Sequence, residues 1–243
     1  MKSASNLEEK TRPGKAGPVR AATSKPVSAA GKRGKARPVD MEIKTQPLQE
    51  RSRQTYDAIL AAAGELLEEV GVEQLSTNLV CKRAGLTPPA LYRYFPNKYA
   101  LLRELGARLM QRQDDAVLAW IDNGGLESKG VEESYRKTLD IQQQVNEITR
   151  REPGGVWIMR AMRAVPALRE VRIASRDLVA DRVAEYLSTL YTDTSEEELR
   201  MAARLTTEVG YAATEMAIEE PDTAKKMTEE LAWMISLYYA KFR

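Results

Sequence analysis

One run constrains this chain more than any other: STNLVCKRAGLTPPALYRYFPNK, from Ser76 to Lys98. It reads as two short helices joined by a tight turn, followed at once by the start of a third. Ser76 suits an N-cap, and Leu79, Val80 and Ala84 give one apolar face at helical spacing. Gly85 supplies the turn. Thr87 can cap the second helix, and Pro88 and Pro89 fit its first turn, where no intrahelical N–H bond is lost. A helix that opens this way projects its leading residues outward. In helix-turn-helix motifs that end enters the DNA major groove.

The rest of the chain is helical in pattern. Tyr56, Ile59, Leu60, Ala63, Leu66, Leu67 and Val70 recur at steps of three and four, which predicts a helix from Pro47 or Arg51 to Val70, ended by Gly71. Asn97 can cap a helix running through Leu101, Leu102, Leu105, Leu109 and Met110 towards Trp120, closed by Gly124 and Gly125. Further helices are expected over 131–151, 156–164, 166–190, 195–219 and 222–242. Their boundaries are Glu152-Pro153-Gly154-Gly155, Pro166, the Thr194/Glu197 capping box and Pro221-Asp222. No segment alternates as a strand would. The fold class is therefore all-α: a three-helix DNA-binding domain with a helix-turn-helix over 48–103, then a larger helical domain over 104–243.

Residues 1–47 read differently. They lack aromatic residues, and Pro and Gly interrupt any regular element. Such a segment buries too little apolar surface to offset its ordering entropy, so a disordered tail is expected. It holds eleven Lys/Arg against four Asp/Glu, a net of +7, and leaves 26 against 31, or −5, for the remainder. A basic tail on an acidic body suggests a polyanion partner for the tail alone. Solvated spacer, DNA-binding arm and a chain that starts at Met41 are the three readings of this segment.

The exclusions are broad. Cys81 is the single cysteine, so no intrachain disulfide forms, which fits a reducing cytosol. There is no histidine, which removes His-dependent triads, His bases and most transition-metal sites. No apolar run approaches the ~20 residues of a membrane span, and no secretory h-region is visible. Neither an enzyme nor a cofactor site is expected, nor a membrane partner.

Leu75-Ser76-Thr77, Val80-Cys81, Ala84-Gly85-Leu86-Thr87 and, above all, Leu91-Tyr92-Arg93-Tyr94-Phe95-Pro96-Asn97-Lys98 with Leu101-Leu102 resemble the TetR family of bacterial helix-turn-helix transcriptional regulators. Cys81 stands where that family usually carries Ala. The resemblance implies a cytoplasmic, nucleoid-associated homodimer on a double-stranded DNA operator, most often a repressor released by a small-molecule effector. The alternative is a protein of the same fold without an effector, nucleoid-associated or controlled by a partner.

The resemblance also implies site residues. Thr77, Tyr92, Tyr94 and Lys98 would meet phosphates or sugars, with Lys98 favoured by the helix N-terminus beside it. Asn78 could reach a base edge. Thr87, Pro88, Pro89 and Ala90 would form an unusually apolar reading head suited to thymine methyls. Inside the larger domain the ligand-pocket candidates are Met110, Trp120, Trp157, Met159, Met162, Tyr186, Met201, Tyr211 and Met216. Arg160 or Arg163 would bind a carboxylate or phosphate on an apolar or aromatic effector. The last two helices would supply the dimer interface through Ala202, Thr206, Val209, Ala213, Met227, Leu231, Met234 and Tyr238.

Overall fold

The computed structural model describes residues 40–44 and 49–243. Among the described residues there are nine α-helices and no strand: α1 Glu50–Gln74, α2 Thr77–Ala84, α3 Pro88–Tyr92, α4 Lys98–Asp122, α5 Val131–Arg151, α6 Gly155–Ala164, α7 Arg169–Leu190, α8 Glu196–Glu219 and α9 Ala224–Ala240. A 3-10 turn, Pro166–Leu168, leads into α7. The all-α expectation holds. Among these residues no helix is long and apolar enough to cross a membrane.

Local chemistry sets the ends of the motif helices. Ser76 Oγ accepts from Leu79 N at 3.3 Å, and Gly85 takes the left-handed conformation that lets α2 end in a tight turn. Asn97 Oδ1 accepts from Tyr99 N at 2.9 Å and Ala100 N at 3.1 Å, which caps α4. Thr87 sits at the N-cap of α3, but its side chain makes no capping bond; the two prolines at the first positions preset the turn instead. Gly71, expected to end α1, does break it with φ +70°, yet the chain adds one further turn to Gln74. Leu79 is exposed, contrary to its expected place on the buried face, because Val80 and Cys81 take the inward direction.

Two apolar clusters fill the interior. One joins α1 to α4 with α6: Ile59, Leu67, Leu91, Phe95, Leu101, Leu109, Ile158 and Met162 are all fully buried in it. The domain boundary expected near residue 103 therefore falls inside a continuous core. The second cluster packs Ile121 of α4 against Val183 and Leu187 of α7, Leu199 and Ala203 of α8 and Tyr239 of α9.

Close backbone approach ties α1 to the turn before α6. A Cβ on Gly154 would lie 2.6 Å from Gly64 O and 2.8 Å from Leu67 Cβ, and one on Gly64 would lie 2.9 Å from Pro153 O. Gly154 also has φ +70°.

Residues 40–44 depart from the expected disordered tail. Met41 and Ile43 are half-buried against the first cluster, while Asp40, Glu42 and Lys44 face solvent. Lys44 N donates to Tyr94 O at 3.0 Å, and Asn97 Nδ2 donates to Asp40 O at 2.6 Å. Asn97 thus holds this strap and caps α4 with the two ends of one amide. Residues 1–39 and 45–47, on which the rest of that expectation falls, lie outside the described residues.

Candidate nucleic-acid interface and internal cavity

The reading face is built on α2 and α3. Leu91 is fully buried and anchors the short α3 against the first cluster. Asn78, Thr87, Pro88, Pro89 and Tyr92 are exposed around it, and Thr77 and Ala90 are half-buried. Thr77 Oγ1 and Tyr92 OH share a hydrogen bond of 2.9 Å, which joins the start of α2 to the end of α3. Two hydroxyls so paired still offer lone pairs and one proton outward, a fixed pair suited to a phosphate oxygen. Arg83 is tied back to α1 by Glu65 at 3.1 Å and Glu69 at 2.6 Å. Arg93 lies over the Tyr94 ring.

Two expected phosphate contacts are placed elsewhere. Tyr94 is buried, packed edge-on against Tyr56 with ring centres 5.6 Å apart and beside Phe95, because the apolar face of α1 needs a large side chain there. Lys98 Nζ donates to Val72 O at 3.2 Å and Glu73 O at 3.3 Å. Its charge closes the carbonyl end of α1, where a cation is favourable, so no phosphate is needed to explain it. Lys98→Met is expected to cost about 1 kcal/mol of stability and to leave the salt dependence of DNA binding unchanged. Urea denaturation and binding at two salt concentrations check this; a flatter salt slope at unaltered stability would return Lys98 to the DNA.

Behind this face a cavity of about 120 Å³ lies among α4, α5, α7, α8 and α9. Of the expected pocket residues, the structure brings Trp120 and Tyr211 to its wall. Met110, Met159 and Met162 are buried in the first cluster instead, where Met162 fills the space beside Gly106. Trp157 covers Gly71, with Arg160 stacked on its ring. Arg160 pairs with Glu219 at 3.0 Å and Arg163 with Glu215 at 2.9 Å, so neither reaches the cavity. Tyr186 OH donates to Glu127 at 2.6 Å near the surface, and Met201 and Met216 are exposed.

The wall holds polar groups that the sequence reading passed over. Gln113 and Asp114 continue the inward stripe of α4 after Leu109 and Met110 and before Val117 and Ile121. A polar pair inside an apolar stripe was the available signal. Ser175 Oγ donates to Asp114 Oδ1 at 2.6 Å, and Tyr211 OH is hydrogen-bonded to Ser175 Oγ. Gln142 Nε2 donates to Thr214 Oγ1 at 2.7 Å and Asn146 Oδ1 at 3.1 Å. Thr206 Oγ1 and Tyr239 OH lie 2.6 Å apart.

Burial pushes the Asp114 carboxyl up to about 6, against a smaller lowering by Ser175 and with a small raising by Asp115. The unfolded carboxyl titrates near 3.9. A raised folded value stabilises below the unfolded one and is lost as pH rises through about 6. Asp114→Asn is therefore expected to gain about 3 kcal/mol relative to the parent between pH 4 and pH 7. Parallel stability curves for the two proteins across that window would contradict it.

Comparison with known proteins decides the family. The model for bacterial regulatory proteins of the tetR family matches residues 59–105, and the one for the tetracyclin repressor-like C-terminal domain matches 141–238. The chain belongs to the TetR family. That family comprises DNA-binding regulators, not enzymes. The chain is 43% identical over 54 residues to the tetracycline repressor protein class C of Escherichia coli, covering 22% of this chain and 25% of that one. It is 38% identical over 66 residues to the HTH-type transcriptional regulator EthR of Mycobacterium tuberculosis, covering 27% and 31%. The match thus spans about a quarter to a third of these curated relatives. A TetR-family transcriptional regulator from Streptomyces coelicolor shares the fold with TM-score 0.53 and 25% identity, over 78% of this chain and 99% of that one. Salmonella enterica GusR shares it with TM-score 0.57 and 19% identity, over 81% and 99%.

The expected dimer residues divide by position. Val209 and Met234 are exposed, and Ala213, Met227 and Tyr238 are half-buried. Ala202 and Leu231 are buried in this chain's own core, and Thr206 lines the cavity. Residues at three- and four-residue steps share one face of a helix, and spacing alone does not say whether that face meets this chain's own core or a partner.

Proposed function

We propose that this chain is a homodimeric, sequence-specific repressor that leaves its operator when a small, largely apolar molecule enters the cavity. The observation that supports this most directly is α4. Its first residue, Lys98, is bonded to the end of α1, and fifteen to twenty-two positions further on Gln113, Val117 and Trp120 line the cavity. One helix therefore belongs to both the reading domain and the ligand wall. At about 120 Å³ the cavity is smaller than the ~300–1,000 Å³ usual for ligand sites. A larger effector fits only if the helices part, so its binding energy favours a displaced α4.

Thr77, Asn78, Thr87, Pro88, Pro89, Ala90 and Tyr92 are the proposed DNA contacts. Among them only Asn78 carries a side chain suited to bidentate reading of adenine. Specificity then depends on methyl contacts and DNA shape as well. The exposed apolar side chains Met201, Leu205, Val209 and Met216 on α8, with Trp233, Met234 and Leu237 on α9, are the proposed dimer face. Two copies would form a four-helix bundle and place two reading heads ~34–36 Å apart. The repressor names of the matched relatives support the sign of regulation.

The small cavity also favours a second reading, the same fold without an effector. One experiment separates them. Binding to the DNA upstream of the chain's own gene is measured against random DNA, at two salt concentrations, with and without a compound that occupies the cavity. Selective binding released by the compound is the expected result. Selective binding that no cavity ligand alters supports the effector-free reading, and equal, steeply salt-dependent binding to both DNAs removes the operator from the proposal.

A further inference from the structure

The cavity wall carries a buried acceptor that no group of the described chain serves. Gln113 is buried, and its Nε2 donates to Thr149 Oγ1 at 2.6 Å. Thr149 gives its own proton to Val145 O at 2.9 Å, so its oxygen can only accept from Gln113. With Thr149 so engaged, the amide nitrogen of Gln113 faces it and Oε1 is the unpaired atom. It has no hydrogen-bond partner. A buried acceptor left in that state is costly unless a ligand or water supplies the donor.

Asp114 is the next wall residue, and among the described residues its carboxyl has no cationic partner. Ser175 serves one of its oxygens, and among the described residues no Lys or Arg pairs with it. The guanidinium groups of α7 nearest this region, Arg172 and Arg176, are both held by Glu208. Arg243, the cation on the wall, is exposed and bonded to Ser128. The protons of Tyr211, Ser175 and Gln142 Nε2 are given to neighbouring protein groups. Val117, Ile141, Val145, Val179 and Val183 give the wall an apolar side.

We propose that the effector is an apolar amine, whose nitrogen donates to Gln113 Oε1 and pairs with the Asp114 carboxylate while its hydrocarbon or aromatic body fills the valine-lined side. This rests on the effector reading above and replaces the expected carboxylate or phosphate effector, since Arg160 and Arg163 are engaged elsewhere. An anion brought to this part of the wall would meet the Asp114 carboxylate and the unpaired Gln113 Oε1.

Calorimetric titration of the full chain with three probes of one shape tests the inference: phenethylamine, hydrocinnamate and ethylbenzene. The amine is expected to bind at least about tenfold more tightly than the carboxylate. Gln113→Met and Asp114→Asn should each weaken the amine by about fivefold or more and leave ethylbenzene unchanged. Both substitutions remove an unsatisfied or desolvated polar group, so neither threatens folding. Val183→Trp, which fills the cavity, should abolish all three. Carboxylate binding as tight as the amine, or an amine affinity that neither wall variant alters, overturns the amine assignment while ethylbenzene binding still upholds the cavity. Failure of all three probes to bind overturns the effector reading itself.

Discussion

Gly154→Ala should destabilise the protein by about 3 kcal/mol, the sum of the left-handed backbone penalty and a steric term of similar size. The backbone contribution follows from φ +70° at this residue. The steric one follows from Gly64 O and Leu67 Cβ, which stand 2.6 and 2.8 Å from where the methyl would lie. A backbone oxygen on α1 cannot swing aside as a side-chain tip can. Gly85 provides the comparison: it has φ +66° but nothing within 4 Å of its Cβ position, so Gly85→Ala should cost only about 1–2 kcal/mol. Urea midpoints at unchanged slope measure both. Equal losses at the two sites would show that the α1–α6 approach relaxes freely, and the steric account would fail.

Leu205→Glu combined with Met234→Glu should convert a dimer to a monomer and reduce operator affinity by about a hundredfold or more, with random DNA affected far less. Both side chains are exposed, at 49% and 59%, so neither change leaves a hole in this chain's own core. Placing two carboxylates on each side of an apolar interface sets like charges against one another in a site closed to water. The operator loses most because a two-headed site depends on both heads being tethered. Light scattering gives the mass and competition binding gives the affinities. A variant that stays dimeric would move the interface off α8 and α9.

The helices were legible because their punctuation is local. Ser76, Gly85, Asn97, Pro153 and Pro221 act through neighbours three or four residues away, and the structure places helix ends beside each of them. What failed was long-range. Lys98 looks like a phosphate ligand when read with its own helix, but the carbonyls it meets belong to residues 72 and 73, on a helix that folds back beside it. Met110, Met159 and Met162 have the flexible shape of pocket residues, and only the crossing of α4 with α6 puts them in one core. Gln113 and Asp114 were readable as polar breaks in an apolar stripe, though which elements face them across the cavity was not. Met41 and Ile43 stand in a stretch of Pro, Gly and Lys, and two apolar residues are too few to outweigh that composition.

Cys81 is buried in the core of α2, burial pushes its thiol up, and the chain has no second cysteine. The thiolate is the reactive form. A water-soluble thiol reagent therefore marks the molecule only when the segment around α2 comes apart, and does so at one atom. The protein carries its own clock for the opening of its reading domain. The rate at which that clock runs, with DNA bound and without, separates loosening of this domain from events elsewhere, and no label has to be engineered into the chain.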